Sequence, residues 1–156
     1  MTQLPDTSTE AGQREASVML ARMMGWHIGN KETTERGAWI RVLCDDKGND
    51  LGLRPPFGGG IAPKRQELVP NSFFNLYRHA NMALAWRVIC WLVDPKNDPF
   101  FVWFKEEDRP RFYAGLQWRS WWSANSHDYY NDTAQRAWLD NALIFAINAG
   151  MLEAQP

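Results

Sequence analysis

The feature that most constrains this fold is a nearly uninterrupted apolar segment, Met82–Val93, in which Arg87 is the only charged residue. A helix that is apolar nearly all round must be covered on more than one side, by a sheet together with another helix or a second subunit. The segment is shorter than the roughly 20 apolar residues that a membrane span needs. We therefore predict a helix in the core of a folded protein.

Length and charge limit the class of protein. The 156 residues suffice for one domain, and we predict an α+β unit over residues 10–152 that follows a flexible segment, 1–9. A net charge of -1 excludes a global field that attracts duplex DNA or an anionic membrane. The polar segment Met1–Glu10 lacks the pattern of a secretory signal, and Cys44 and Cys90 lie in apolar runs typical of buried, reduced thiols. These features predict a cytoplasmic protein.

Periodic apolar residues predict three helices. They run from Thr9 to Met24, from Asn71 or Ser72 to Val93, and from Asp132 or Thr133 to Ala149. Thr7 and Glu10 fit a capping box at the start of the first helix, and Gly25 and Gly150 are suited to end the first and the last. The central helix is predicted to be the longest element.

Two strand-rich regions predict hairpins. The first joins Ala38–Cys44 to Leu51–Leu53 through the turn Asp45–Asn49, and the second joins Phe100–Phe104 to Arg111–Gln117. The order is α-β-β-α-β-β-α. It predicts an α+β fold in which three helices sandwich an antiparallel sheet of two hairpins.

Several of these features resemble the phage ABA sandwich family of small bacteriophage proteins. In that family a Met-Gly-Trp ends the first helix, as in Leu20–Trp26, a tryptophan opens the next strand, as Trp39 does, and an alanine-rich helix closes the chain. The likeness covers most of residues 14–152. It departs at Trp118–Asn131, which resembles an insertion, and in the long loop Arg54–Pro70. The resemblance implies a phage or prophage origin and a non-enzymatic role, and it carries over no catalytic residues.

The Arg54–Pro70 loop is the best candidate for an anion site. Residues 51–93 contain five basic residues and one acidic residue, a local balance of +4. Bare glycine backbone beside cations and an aromatic ring can hold a phosphate and stack a base. The candidate ligand-binding residues in this loop are Arg54, Phe57, Gly58, Gly59, Lys64 and Arg65. The Walker spacing is absent, and the alternative is an ordinary flexible loop.

The second predicted hairpin interleaves aromatic and cationic residues. Alternation places Phe101, Trp103 and Lys105 on one face of their strand. That face either stacks a planar ligand or is covered by helices or a partner subunit. The candidate ligand-binding residues here are Trp103, Lys105, Arg109, Arg111 and Arg119.

Nine tryptophans are an unusual number for a chain of this length. Trp118, Trp121 and Trp122 lie outside a clear helix or strand, and they form either an interaction surface or a plug of the core. The five that fall at core positions of predicted elements are Trp26, Trp39, Trp86, Trp91 and Trp138.

Three functions compete. The first, which the local charge slightly favours, is capture of a small anionic, nucleotide-type immune signal of a bacterial host as an anti-defence protein. The second is docking on a host protein through the tryptophan-rich surface. The third is a hydrolase, which the sequence disfavours because His127, Asp128 and the pair Asp45–Asp46 have no nucleophile at an informative spacing. No metal or cofactor is expected, and a homo-oligomer is expected in either binding case.

Overall fold

The computed structural model describes residues 4–32, 39–54, 74–92, 99–105, 112–118, 127–131 and 134–152. Within these ranges the chain has an α+β fold. Its elements are α1 (Glu10–Met23), β1 (His27–Glu32), β2 (Trp39–Cys44), a short 3-10 helix (His79–Asn81), α2 (Met82–Leu92), β3 (Pro99–Lys105), β4 (Phe112–Trp118), β5 (His127–Asn131) and α3 (Ala134–Asn148). No helix among the described residues is long and apolar enough to cross a membrane.

The ends of α1 are set by its own sequence. Thr9 is the N-cap, and its hydroxyl accepts the N–H of Gly12 at 3.1 Å. The predicted capping box of Thr7 and Glu10 is wrong, because Thr7 is buried and donates to Asp140 of α3 at 3.0 Å. Thr7 is therefore packed on α3, although it lies in the segment predicted to be flexible. At the other end Gly25 has the positive φ of 73° that the prediction required.

The first hairpin differs from its prediction. β2 pairs antiparallel with β1, which the sequence analysis missed, and Ile28 lies opposite Leu43. The segment Leu51–Leu53 returns only as a short extension, through backbone hydrogen bonds of Leu51 and Leu53 to Leu43. The predicted turn between them is present and is held by the Asp45 carboxylate, which accepts the backbone N–H groups of Lys47 and Asn49.

The remaining strands form a second sheet in the order β3-β4-β5. β3 and β4 pair antiparallel where the second hairpin was predicted, and Trp103 lies opposite Ala114. β5 was not predicted, because Trp118–Asn131 shows no clear period. Within the described ranges the strands thus make two sheets, whereas a single one was predicted. Helix α3 contacts β4, β5 and α2.

The central helix begins later than predicted. Residues 74–78 are irregular, and α2 has 11 residues against 15 in α3, so it is not the longest element. Side chains satisfy the backbone groups that a helix would use: the Asn75 side chain accepts the N–H of Tyr77, and Ser17 accepts the N–H of Leu76. Gln135 donates to the carbonyl oxygens of Leu76 and Arg78. The spacing of apolar residues cannot show that side chains from other elements bind this backbone in place of helical hydrogen bonds.

The core joins all three helices to the first hairpin. Leu20 of α1, Leu43 of β2, Ile89 of α2 and Phe145 of α3 belong to one buried cluster. Trp26 packs edge to face on Phe74, with ring centroids 6.1 Å apart. Trp26 and Trp138 are buried, as predicted.

Candidate functional site

Helix α2 has a solvent face that is almost entirely apolar. Successive residues of an α-helix are about 100° apart, so its buried and exposed residues fall on two separate arcs. The buried arc holds Leu84, Ala85, Val88, Ile89 and Leu92. The exposed arc spans about 140° and holds five residues, which we call the exposed α2 face: Ala83, Trp86, Arg87, Cys90 and Trp91. Four of these five side chains are apolar or weakly polar, which is unusual for a surface in contact with water.

Three residues of this face correct the sequence analysis. Trp86 and Trp91 were assigned to the core, but they are 41% and 40% exposed. Cys90 was predicted to be buried, but it is exposed. The physical reason is that the opposite arc of α2 already fills the space against the core. The expectation that the helix is covered on more than one side is therefore not met by the described residues of this chain.

The two cysteines occupy different environments. Cys44 is buried, and burial is the main cause that raises the pKa of its thiol above the ordinary value. Cys90 lies on the exposed α2 face and is a free thiol. The two thiols therefore differ in access to solvent and to reagents.

Trp86 is held at one edge of the face. Its ring lies edge to face against Trp138 of α3, with centroids 5.3 Å apart and an interplanar angle of 62°. Such a pair contributes about 0.5–1.5 kcal/mol beyond area burial. Trp86 is thus packed against α3 and is still 41% exposed.

Arg87 is the cation of the exposed α2 face, and it lies near the turn after β2. The backbone N–H of Asn49 is the main cause that lowers the pKa of Asp45, and the positive charge of Arg87 adds a smaller effect. Asp46, the next residue of this turn, is exposed. The face therefore has a cation within it, and the carboxylate of Asp45 lies close enough to feel that charge.

Two other described cations of the basic stretch 51–93 also act on carboxylates. Arg78 donates to Glu10 at 2.8 Å, and this bond is the main cause that lowers the pKa of Glu10. The pKa of Asp50 is lowered chiefly by a hydrogen bond from Lys31, and Arg54 adds a smaller Coulombic effect. Acidic neighbours offset part of the local excess of positive charge that the sequence shows.

A buried polar cluster around Asp140 is the strongest rival to the exposed α2 face. Asp140 accepts the hydroxyl of Tyr77 at 2.7 Å through one oxygen and that of Thr7 at 3.0 Å through the other. Arg136 lies 3.6 Å away on the same helix. Both carboxylate oxygens are occupied by the protein itself, so the cluster ties three segments together and is not arranged for a ligand.

Most residues of the predicted ligand-binding site and of the predicted tryptophan surface lie outside the described residues. Arg54 is exposed and follows the short Leu51–Leu53 segment. Trp103 and Lys105 lie on β3, and Trp118 is the last residue of β4. The candidates that lie outside the described residues are Phe57, Gly58, Gly59, Lys64, Arg65, Arg109, Arg111, Arg119, Trp121 and Trp122. Those predictions stay predictions.

No group of three His, Cys, Asp or Glu side chains in the described ranges is placed to hold a metal ion. His127 and Asp128 lie on β5 opposite Leu116 and Gly115. Asp45, the other candidate acid, is occupied by the turn that it stabilises.

The sequence analysis missed the exposed α2 face as a site. A signal was available, because Met82–Val93 carries more apolar residues than one packed face requires. No protein-family model, curated protein or solved structure matches this chain. The resemblance to the phage ABA sandwich family therefore stays a prediction, and function has to be argued from the site.

Proposed function

We propose that this chain is a non-enzymatic binding protein that docks on a protein partner through the exposed α2 face. The observation that carries the proposal is the pair of tryptophans, Trp86 and Trp91, that remain about two-fifths exposed on a helix whose other face is fully packed. Tryptophan and arginine are enriched among the residues that dominate binding energy at protein interfaces. Arg87, between the two rings, supplies the polar contact of this surface.

The fold supports the proposal as a rigid support for that surface. The inner arc of α2 is anchored in the core, and Trp86 is fixed against Trp138. A surface held in place loses little conformational entropy on binding. The proposal keeps the predicted sandwich of helices on an antiparallel sheet. The contact of α3 with β4 and β5 supports this arrangement in part. A phage or prophage origin and a bacterial cytoplasmic location belong to the proposal through the resemblance alone.

The test compares two alanines that are both exposed on helices. Ala83→Glu places a charge in the exposed α2 face, and Ala11→Glu places the same charge on α1. The tagged chain is co-expressed in bacteria with an untagged copy and purified through its tag. We expect a second protein to co-purify in stoichiometric amount, either a host protein or the untagged copy. Ala83→Glu should abolish that retention and Ala11→Glu should preserve it, with both variants folded by circular dichroism. Equal retention by both variants would contradict the proposal.

Capture of a small anionic, nucleotide-type signal is the second candidate. The +4 balance of residues 51–93 favours it, and Arg54, Arg78 and Arg87 of that stretch are exposed. The acidic neighbours of these three arginines make it the weaker candidate. A melting temperature of the same purified chain that rises with the concentration of a cyclic or linear nucleotide would establish it. Absence of a response across a nucleotide panel would remove it.

A further inference from the structure

A thiol and an imidazole meet where β1 begins and β2 ends. Cys44 lies directly opposite His27 in the antiparallel register of these two strands. The side chains of such a pair lie on the same face of the sheet, with Cβ atoms about 4.5–5.5 Å apart. The pair belongs to other elements than the exposed α2 face.

The sulfur of Cys44 and one ring nitrogen of His27 converge on the bare backbone of Gly29. A Cβ atom at Gly29 would lie 2.8 Å from Sγ of Cys44 and 3.8 Å from Nε2 of His27. A glycine within a strand often marks a place where a ligand or another group approaches the backbone closely. The thiol donates to the carbonyl oxygen of Val42 over a long distance of 3.8 Å, so the protein holds it only weakly.

The end of α1 orients the ring of His27. Its Nδ1 lies 3.2 Å from the carbonyl oxygen of Gly25. A carbonyl oxygen can only accept a hydrogen bond, so in the neutral ring Nδ1 carries the proton and Nε2 presents a lone pair. Metal-binding histidines are almost always oriented in this way, by a hydrogen bond from the nitrogen that does not bind the metal. The contact with Gly25 therefore points to Nε2 as a metal ligand.

The charges around the sulfur favour a cation. Burial is the main cause that raises the pKa of the Cys44 thiol, and the negative charges of Asp50 and, less strongly, Asp45 raise it further. The backbone N–H of Gly29 has the opposite effect, and Lys31 offsets part of the charge of Asp50, which it binds at 2.9 Å. The carboxylates that keep the proton on the sulfur also favour a metal cation that replaces this proton.

We propose that Sγ of Cys44 and Nε2 of His27 bind a monovalent soft metal ion, copper(I) or silver(I), in a two-coordinate site beside Gly29. The thiol releases its proton to solvent as the sulfur–metal bond forms, Nε2 supplies a lone pair, and no electron is transferred. Thiolate ligands select soft ions of this kind.

The charge of the ion follows from the burial of the site. A monovalent ion and a thiolate are neutral together, which suits a cysteine that is only 3% exposed. Zinc(II) would leave a positive charge, and its structural sites take four ligands. The described residues offer no group of three His, Cys, Asp or Glu side chains for a metal.

Titration of the purified chain with metal ions tests the site. The Cys90→Ser variant leaves Cys44 as the only thiol, since the chain has two cysteines. In this variant silver nitrate in chloride-free buffer should bind in one equivalent, followed by the ultraviolet absorption of the thiolate–metal bond. Copper(I), competed against a coloured chelator under argon, should give a Kd that His27→Gln raises at least about tenfold. His79→Gln, which removes an exposed imidazole of the 3-10 helix, is the matched control and should leave this Kd unchanged.

Nitrogen-15 NMR observes the imidazole without a change at the site. One equivalent of silver(I) added to the Cys90→Ser variant should shift the Nε2 resonance of His27 and leave Nδ1 protonated. An unshifted Nε2 resonance would overturn the proposal, and so would equal copper(I) affinity in a folded His27→Gln variant or a folded chain that binds neither ion. Circular dichroism checks the fold of each variant, and the NMR result decides the proposal where His27→Gln does not fold.

Discussion

Helices α1 and α2 are alike on their buried sides and opposite on their solvent sides. Both place aliphatic side chains in the same core cluster, Leu20 from α1 and Ile89 from α2. The solvent side of α1 carries ion-paired charges, with Glu10 bound to Arg14 at 2.7 Å and to Arg78 at 2.8 Å. The solvent side of α2 carries two tryptophans, a small pair and one arginine. The contrast supports the proposal that α1 faces water while a partner covers the exposed face of α2.

The two helices also begin differently. α1 caps itself, because Thr9 accepts the N–H of Gly12 within the helix. α2 follows a 3-10 turn whose N-cap, Arg78, makes no side-chain cap bond, and the segment before it is held by α1 and α3 through Ser17, Gln135 and Asp140. The start of α2 is thus fixed by distant parts of the chain. If the proposal holds, this arrangement favours binding, because the position of the exposed α2 face is fixed by the whole core.

The largest expected effect tests the claim that the buried sides are alike. Ile89→Ala and Leu20→Ala each remove a fully packed side chain and should lower the free energy of unfolding by about 2–5 kcal/mol, because a cavity adds to the lost burial. Urea unfolding followed by fluorescence measures both. A loss below about 1 kcal/mol at Ile89 alone would show that α2 is not packed as α1 is, and the comparison would fail.

The next effect tests how the start of α2 is fixed. Tyr77→Phe removes the hydroxyl that donates to Asp140 at 2.7 Å and leaves a buried carboxylate oxygen without that donor. The expected loss is about 1.5–3 kcal/mol, the range for hydrogen bonds to charged groups. Thr7→Val removes the other donor, and the double variant measures whether the two bonds are coupled. A neutral Tyr77→Phe would mean that Asn75, Ser17 and Gln135 hold this segment without the bond to Asp140.

Local rules predicted the parts of this fold that depend on neighbouring residues. The C-terminal ends of α1 and α3 follow from Gly25 and Gly150, whose φ values are 73° and 69°. The turn after β2 follows from Asp45, which accepts backbone N–H groups two and four residues on. These helix ends and this turn are determined by residues close together in the chain, so the sequence was sufficient to predict them.

The parts that failed depend on distant residues. β1 was missed because its sequence, HIGNKE, is polar and contains a glycine, and it becomes a strand by pairing with β2. Residues 74–78 have helical spacing, yet Ser17 and Gln135 bind their backbone from other elements. The exposure of Trp86 and Trp91 depends on which arc of α2 meets the core, and a helix with a single charged residue gives little indication of that arc. The candidate site therefore required the structure.

The smallest expected effect concerns the ion pairs of α1. Arg78 and Arg14 lower the pKa of Glu10, the hydrogen bond from Arg78 being the main cause, so the folded pKa lies below its ordinary value of 4.5. The contribution of Glu10 to stability is complete above that ordinary value and is lost as the pH falls through the folded pKa. Glu10→Gln should lower the melting temperature slightly at neutral pH, and the difference from the unmodified chain should vanish in acid.

Salt separates this effect from association through α2. About 1 M salt shortens the Debye length to about 3 Å, so the difference that Glu10→Gln makes should also disappear at high salt. Glu15→Gln, which removes an exposed carboxylate of the same helix, is the matched control. Burial of tryptophan on association does not rely on long-range charge, so a contact through the exposed α2 face should persist under the same conditions. The opposite result would be dissociation through the exposed α2 face at high salt together with a Glu10→Gln effect on the melting temperature that persists. It would contradict the view that charge stabilises α1 and that apolar contact drives association through α2.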